Sequence, residues 1–262
     1  MDRQAEFRRV YRERIEPWYS GILHVATIYA IGLGVFVFSF RQLTVPITWM
    51  QWAVILVVAF VANVLEWAIH LYIMHRPRKN FIARAIYRRH TLMHHQFFTD
   101  KNYMIDSIRD FRIVFFPPYT EVVAVVAAMP GAFVLGWLLG ANAGWLTILT
   151  VVSLYMLYEL FHLCCHVRDN WFVRSMPFIS TIRRHHIAHH EQSIMMHRNM
   201  NLTFPVADWL FGTSDLDRGF VGTVFNGMSG RFVRTDMART TRTPKVESRP
   251  GSDATGGVRG RA

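Results

Sequence analysis

The stretch ITWMQWAVILVVAFVANVLEWAIHLYIMH, residues 47–75, runs apolar for 28 residues to Met74 and then closes on a histidine. At 1.5 Å per residue a helix over 47–74 is about 42 Å long, against a hydrocarbon core of about 30 Å. Its last turns, which carry Glu66, His70 and His75, are therefore expected to stand clear of the membrane. Three other runs exceed the roughly 20 residues needed to cross hydrocarbon: Trp18 to Phe40, Ile113 to Leu139 and Ala143 to Cys165. The last of these repeats the ending, with Glu159, His162 and His166 in its final turns.

The links RQLTVP (41–46) and GAN (140–142) are too short to hold a domain, so the spans pair as two hairpins closed on the same side. The open side collects Arg3, Arg8, Arg9, Arg12, Arg14, Arg76, Arg78, Lys79, Arg84, Arg88 and Arg89, whereas the closed side holds Arg41 alone. This bias places the open side in the cytoplasm. Composition agrees with a multi-pass membrane protein: 52% of residues are hydrophobic and the mean hydropathy is +0.17. The 29 Lys and Arg outnumber the 18 Asp and Glu, but they lie beside apolar spans. Anionic lipid headgroups, not nucleic acid, are the expected partner. Cys164 and Cys165 are adjacent inside a span and offer no disulfide framework. Residues 1–17 read as an amphipathic cytoplasmic segment with no signal-peptide cleavage site. Residues 235–262, rich in Arg, Thr, Ser, Gly and Pro, read as a disordered basic tail.

Set side by side, the two halves read LEWAIHLYIMH then RRHTLMHH (65–75, 88–95), and YELFHLCCH then RRHHIAHH (158–166, 183–190). Each runs Glu, His, His, then Arg-Arg-His, then His-His, an approximate internal duplication. Residues four apart share a helix face, which pairs His90 with His94, His162 with His166, His185 with His189 and His186 with His190. His70 and His75 are five apart and need a helix end or a bulge to reach one metal. Neutral imidazole is the commonest protein metal ligand and suits iron, zinc, copper and nickel. Ten imidazoles are too many for one ion, so a two-metal centre with four to six ligands each is expected. His24 and His197 stand outside the repeat and are read as ordinary packing or surface residues. Glu66 and Glu159, costly at membrane depth, are expected to accept the second ring N–H of metal-bound histidines. Met195 and Met196 beside the last box are read as core residues.

HLYIMH, HTLMHH, HLCCH and HHIAHH, with RDFRIVFFPP (109–118) and NLTFPVADWLFGT (201–213), resemble the membrane fatty acid hydroxylase and sterol desaturase superfamily over about residues 60–215. The resemblance implies an all-α integral membrane protein: four transmembrane helices in two hairpins, with a cytoplasmic helical cap holding a histidine-rich dimetal centre. It assigns residues 18–215 to the membrane domain and 216–234 to a C-terminal extension of the cap. It implies two iron ions that activate O2 to hydroxylate or desaturate a lipid. Carried over box by box, the ligands are His70, His75, His90, His94, His95, His162, His166, His186, His189 and His190. In the second box three residues separate His90 from His94 where the family has two. In the last box the family spacing selects His186 and the internal repeat selects His185; we follow the family. Asn201, Asp208 and the Phe211-Gly212-Thr213 turn match a family segment that packs near the cap and are read as structural.

Histidine ligation alone does not name the metal, and zinc fits the same donors in a purified sample. No Gly-rich dinucleotide fingerprint, CxxC or haem domain supplies electrons, which implies an external reductase or electron carrier. A desaturase or a carotenoid hydroxylase uses the same boxes. A non-catalytic metal-binding protein is the reading from another class, but a translocation site is expected at mid-membrane, where only Asn63 and a few Ser and Thr lie. Haem ligation would leave most of these histidines unexplained.

Overall fold

The computed structural model describes residues 2–176 and 178–235; from residue 236 the expected basic tail lies outside the described residues. Among the described residues every regular element is helical, with one isolated bridge between Leu216 and Val233. Four helical stretches are long and apolar enough to cross a membrane: Gly21–Arg41, Trp49–Met74, Ile108–Leu139 and Ala141–His166. Within the third, the unbroken α-helix is Tyr119–Leu139. A short helix, Phe111–Val114, comes first, and Pro117 and Pro118 then interrupt the chain. Proline has no N–H for the helical ladder and pushes the residue before it toward extended backbone.

Local chemistry sets the span ends. Ser20 accepts the Leu23 N–H, and Thr48 with Gln51 forms a capping box at the start of the second span. The third and fourth spans are separated by Gly140 alone, at φ 94°, where a side chain would also meet Gln51 Nε2. Asn142 bonds the backbone N–H and carbonyl of Thr44 at 2.9 and 2.7 Å, and Gln51 donates to the Leu139 carbonyl at 2.8 Å. Both hairpins are therefore closed on the same side, as their short links require.

The fourth span is the axis of the bundle. Half of it is buried, against 17% or less of each other span, and it packs on all three. The other spans turn apolar faces outward: Leu56, Phe133 and Trp137 are among the large exposed side chains.

At the open side the N-terminal helix Arg3–Glu13 lies on the segment before the third span. Buried Arg8 pairs with Asp106 at 2.8 Å, and Arg12 with Asp110 at 2.7 Å. These two arginines serve the fold rather than lipid headgroups. Farther along, the segment 199–215 dips beside the second span. Asn63 accepts the Ala207 N–H at 3.0 Å and donates to the Phe204 carbonyl at 2.8 Å, while Trp67 stacks on Phe211 with centroids 4.3 Å apart. Asn63, the one strongly polar side chain expected deep in this span, thus holds the C-terminal segment in place.

Candidate metal centre

Two short π-helical stretches, His70–Met74 and Arg88–His94, carry the first-half histidines. In a π turn the N–H bonds five residues back, as His75 does to the His70 carbonyl at 3.1 Å. Residues five apart then share a face. His70 and His75 bring their Nε2 atoms to 3.1 Å, and His90 and His95 do the same at 3.1 Å. The bulge required by the His70–His75 spacing is present, and it recurs where spacing by four pointed to His90 with His94. The second half uses ordinary α-helix, in the fourth span and in Ile179–His189, with spacing of four: Nε2 atoms are 3.2 Å apart for His162 and His166 and 3.1 Å for His186 and His190.

The imidazoles converge in two buried groups. His70, His75, His90, His95 and His189 form one and His94, His166, His186 and His190 the other, with the ligating atoms of each within 4.8 Å of one another. His162 sits at the edge of the second, against His166. None of the ten exposes more than 7% of its surface. His90, despite the unusual box spacing, lies 2.8 Å from His70 through Nε2. His185 joins neither group. It turns to Asp208 at 2.9 Å, and His186, the residue the family spacing selects, stands in the second group instead. His197 is exposed, and His24 is satisfied by the Tyr19 hydroxyl at 2.8 Å and the Phe116 carbonyl at 2.9 Å.

The outward ring nitrogens show what the inward ones must be. His70 Nδ1 meets the Met200 carbonyl, His166 that of Tyr103 at 2.6 Å, His189 that of Arg198 at 2.8 Å, His190 that of Phe98 at 2.9 Å and His94 that of Ile113 at 3.2 Å. A carbonyl only accepts, so each Nδ1 carries the proton and each neutral ring leaves a lone pair on Nε2. His75 Nδ1 likewise faces the Thr91 hydroxyl, which donates elsewhere, to the Met74 carbonyl at 2.6 Å. Burial keeps these rings neutral, pushing His75 down to about 2 and His190 to about 3. Lone pairs facing each other at 3.0 Å between His75 and His189, and 3.2 Å between His94 and His190, repel unless a cation lies among them. The donor set fits a bound metal in each group.

Glu66 and Glu159 do not touch an imidazole, contrary to expectation. Glu66 accepts the N–H groups of Leu202 at 2.5 Å and Thr203 at 2.9 Å, and Glu159 accepts the Phe116 N–H at 3.1 Å. Each fixes backbone near a carbonyl that receives a ring N–H. Backbone carbonyls take the expected carboxylate role, and the buried carboxylates instead accept the N–H groups of the backbone that carries them. Asp208 does the most of this kind. It accepts the N–H groups of Met200 and Asn201 at 2.8 and 2.6 Å, the Thr213 hydroxyl at 2.5 Å and His185 at 2.9 Å, and so holds the carbonyl that receives His70. Beside it, Arg184 and Asp215 form a bidentate buried pair at 2.6 and 2.5 Å.

The family model for fatty acid hydroxylases matches residues 55–213, more than half of the chain. The chain belongs to the fatty acid hydroxylase family. Membership bears out the resemblance carried by the histidine boxes, and the match runs from the second span to Thr213, enclosing the nine grouped histidines and His162 beside them. This member of the family is thus a multi-pass membrane oxidoreductase of the lipid hydroxylase or desaturase type. No curated protein and no solved structure matches it.

Proposed function

We propose that the chain is a di-iron, O2-dependent lipid hydroxylase with its centre on the cytoplasmic side. The observation that carries this is the set of Nε2 lone pairs, turned inward and buried in two adjacent groups. His70, His75, His90, His95 and His189 hold one iron; His94, His162, His166, His186 and His190 hold the other. Iron bound there supplies activation of O2 toward an unreactive C–H bond. The chain's own part is to fix five of the rings through backbone carbonyls, to keep water out, and to offer an acyl chain an apolar approach along the spans. The reaction balances as R–H, O2, two electrons and two protons giving R–OH and water. An external carrier provides the electrons. Zinc fits the same nitrogens but has no redox chemistry, so a zinc-filled sample is expected to be inactive.

The test is lipid mass spectrometry of host cells expressing wild type or His189→Ala, grown with iron and air. A lipid that gains one oxygen only with the wild type is the expected result. Loss of two hydrogens would replace hydroxylation with desaturation. Identical lipids from both strains would sink the enzymatic reading.

A further inference from the structure

Two open cavities, of about 300 and 410 Å³, share Arg89 in their linings at the open end of the bundle. The first is lined by Arg89, Arg112, Tyr19 and His24, the second by Arg84, Arg88, Arg89 and Met93. Four guanidinium groups therefore face this double cavity, and no carboxylate lines it. Arg89 is fixed there by bonds to the carbonyls of Arg112 and Phe115 at 2.7 and 2.6 Å. Arg112 is paired with Glu16 at 3.2 Å, whereas Arg84 and Arg88 are exposed and, among the described residues, neither forms an ion pair. Cations held together without counter-charge repel one another and favour an oxyanion between them, which guanidinium can bind through two N–H groups at once.

The position selects the oxyanion. His24 lies in the first turn of the first span, and Pro117 and Pro118 lead into the third, so the cavities sit at the membrane boundary. The second cavity has an apolar side as well: Phe81 lines it and is 72% exposed, and neighbouring Ile82 is 55% exposed. An amphiphile fits this combination, with its charged end among the arginines and its chain along the apolar side. Arg84 and Arg88 are one helical turn apart on a face of the same helical stretch that carries His90 and His94 inward.

We propose that this double cavity is the headgroup site for the lipid substrate, and that the substrate is an anionic lipid bearing a phosphate or carboxylate. The proposal rests on the lipid-oxidation reading above. It adds a substrate class and assigns Arg84, Arg88 and Arg89 to binding.

The test uses full-length protein released from micelles containing equal phosphatidylglycerol and phosphatidylcholine, with retained lipid read by native mass spectrometry. The variants are Arg84→Gln with Arg88→Gln, and a control pair, Arg3→Gln with Arg14→Gln, which removes the same charge from exposed positions on the N-terminal segment. Wild type and control are expected to retain phosphatidylglycerol, and the cavity pair to retain it about tenfold less or worse, with bound metal unchanged. Equal loss in the control, or no preference in the wild type, would reduce the site to general surface attraction and overturn the proposal. Inorganic phosphate bound in place of lipid, with the same sensitivity to the cavity pair, would overturn it in favour of a free oxyanion. In cells, loss of oxidised anionic lipid from the cavity pair supports the substrate assignment, and an undiminished product overturns it. If the wild type makes no oxidised lipid, the oxidation reading fails, while the retention measurement still decides the headgroup site.

Discussion

The two halves of the histidine cluster reach one arrangement through different helices. In the first half the paired imidazoles are five apart, 70 with 75 and 90 with 95, on π-helical turns; in the second they are four apart, 162 with 166 and 186 with 190, on α-helix. The same shift explains the disputed histidine. Aligned on Arg-Arg-His, the repeat matches His90 to His185, but an α-helix needs its partner four residues before His190, and that residue is His186. Repeated chemistry was kept by changing the backbone period and the sequence register together.

The largest expected effect tests whether the groups are separate. His75→Ala and His166→Ala should each lower product formation more than about 100-fold, beyond the usual cost of an outer partner. Metal analysis should show each losing one of two ions. Loss of both from either variant would merge the groups into one site.

Next comes Asp208→Asn, which disturbs the strand of backbone behind His70 and leaves the second half alone. Metal affinity of the first group should fall about 10- to 100-fold in a chelator competition, with the second group unchanged. A comparable fall in both would make Asp208 a general stabiliser.

The two glutamates offer a smaller contrast. Glu66 receives two N–H groups and the Thr203 hydroxyl, whereas Glu159 receives one N–H. Glu66→Gln should cost about 1–3 kcal/mol in thermal or denaturant stability, and Glu159→Gln about 1 kcal/mol or less. The reverse order would mean that Glu159 holds more than the Phe116 backbone. Smallest of all, His197→Ala should leave metal content unchanged and stability within about 0.5 kcal/mol.

Much of this was legible in the residues. Apolar length announced four spans, short links dictated their pairing, and histidine spacing gathered the donors. Adjacent histidines carried a further signal: neighbours on a helix point about 100° apart, so one His-His pair can serve two sites, as His94 with His95 and His189 with His190 do. Other features had no local signature. Every residue has a carbonyl, so nothing marked Met200, Tyr103, Arg198 or Phe98 as the acceptors that set the tautomers. The π turns depend on tertiary pull, and only the five-residue spacing hinted at one of them. Arg8 and Arg12 looked like surface cations because their partners, Asp106 and Asp110, lie far along the chain.

The crossing of histidines between halves also bears on how the protein is made. The first group takes His189 from the second half, and the second takes His94 from the first. A nascent chain that has emerged only through its first hairpin and following segment holds four of the five donors of the first group and a single donor of the second. The full donor set of the first group exists only once synthesis passes His189, and that of the second only once it passes His190, so both are complete only in a chain whose four spans have all been made.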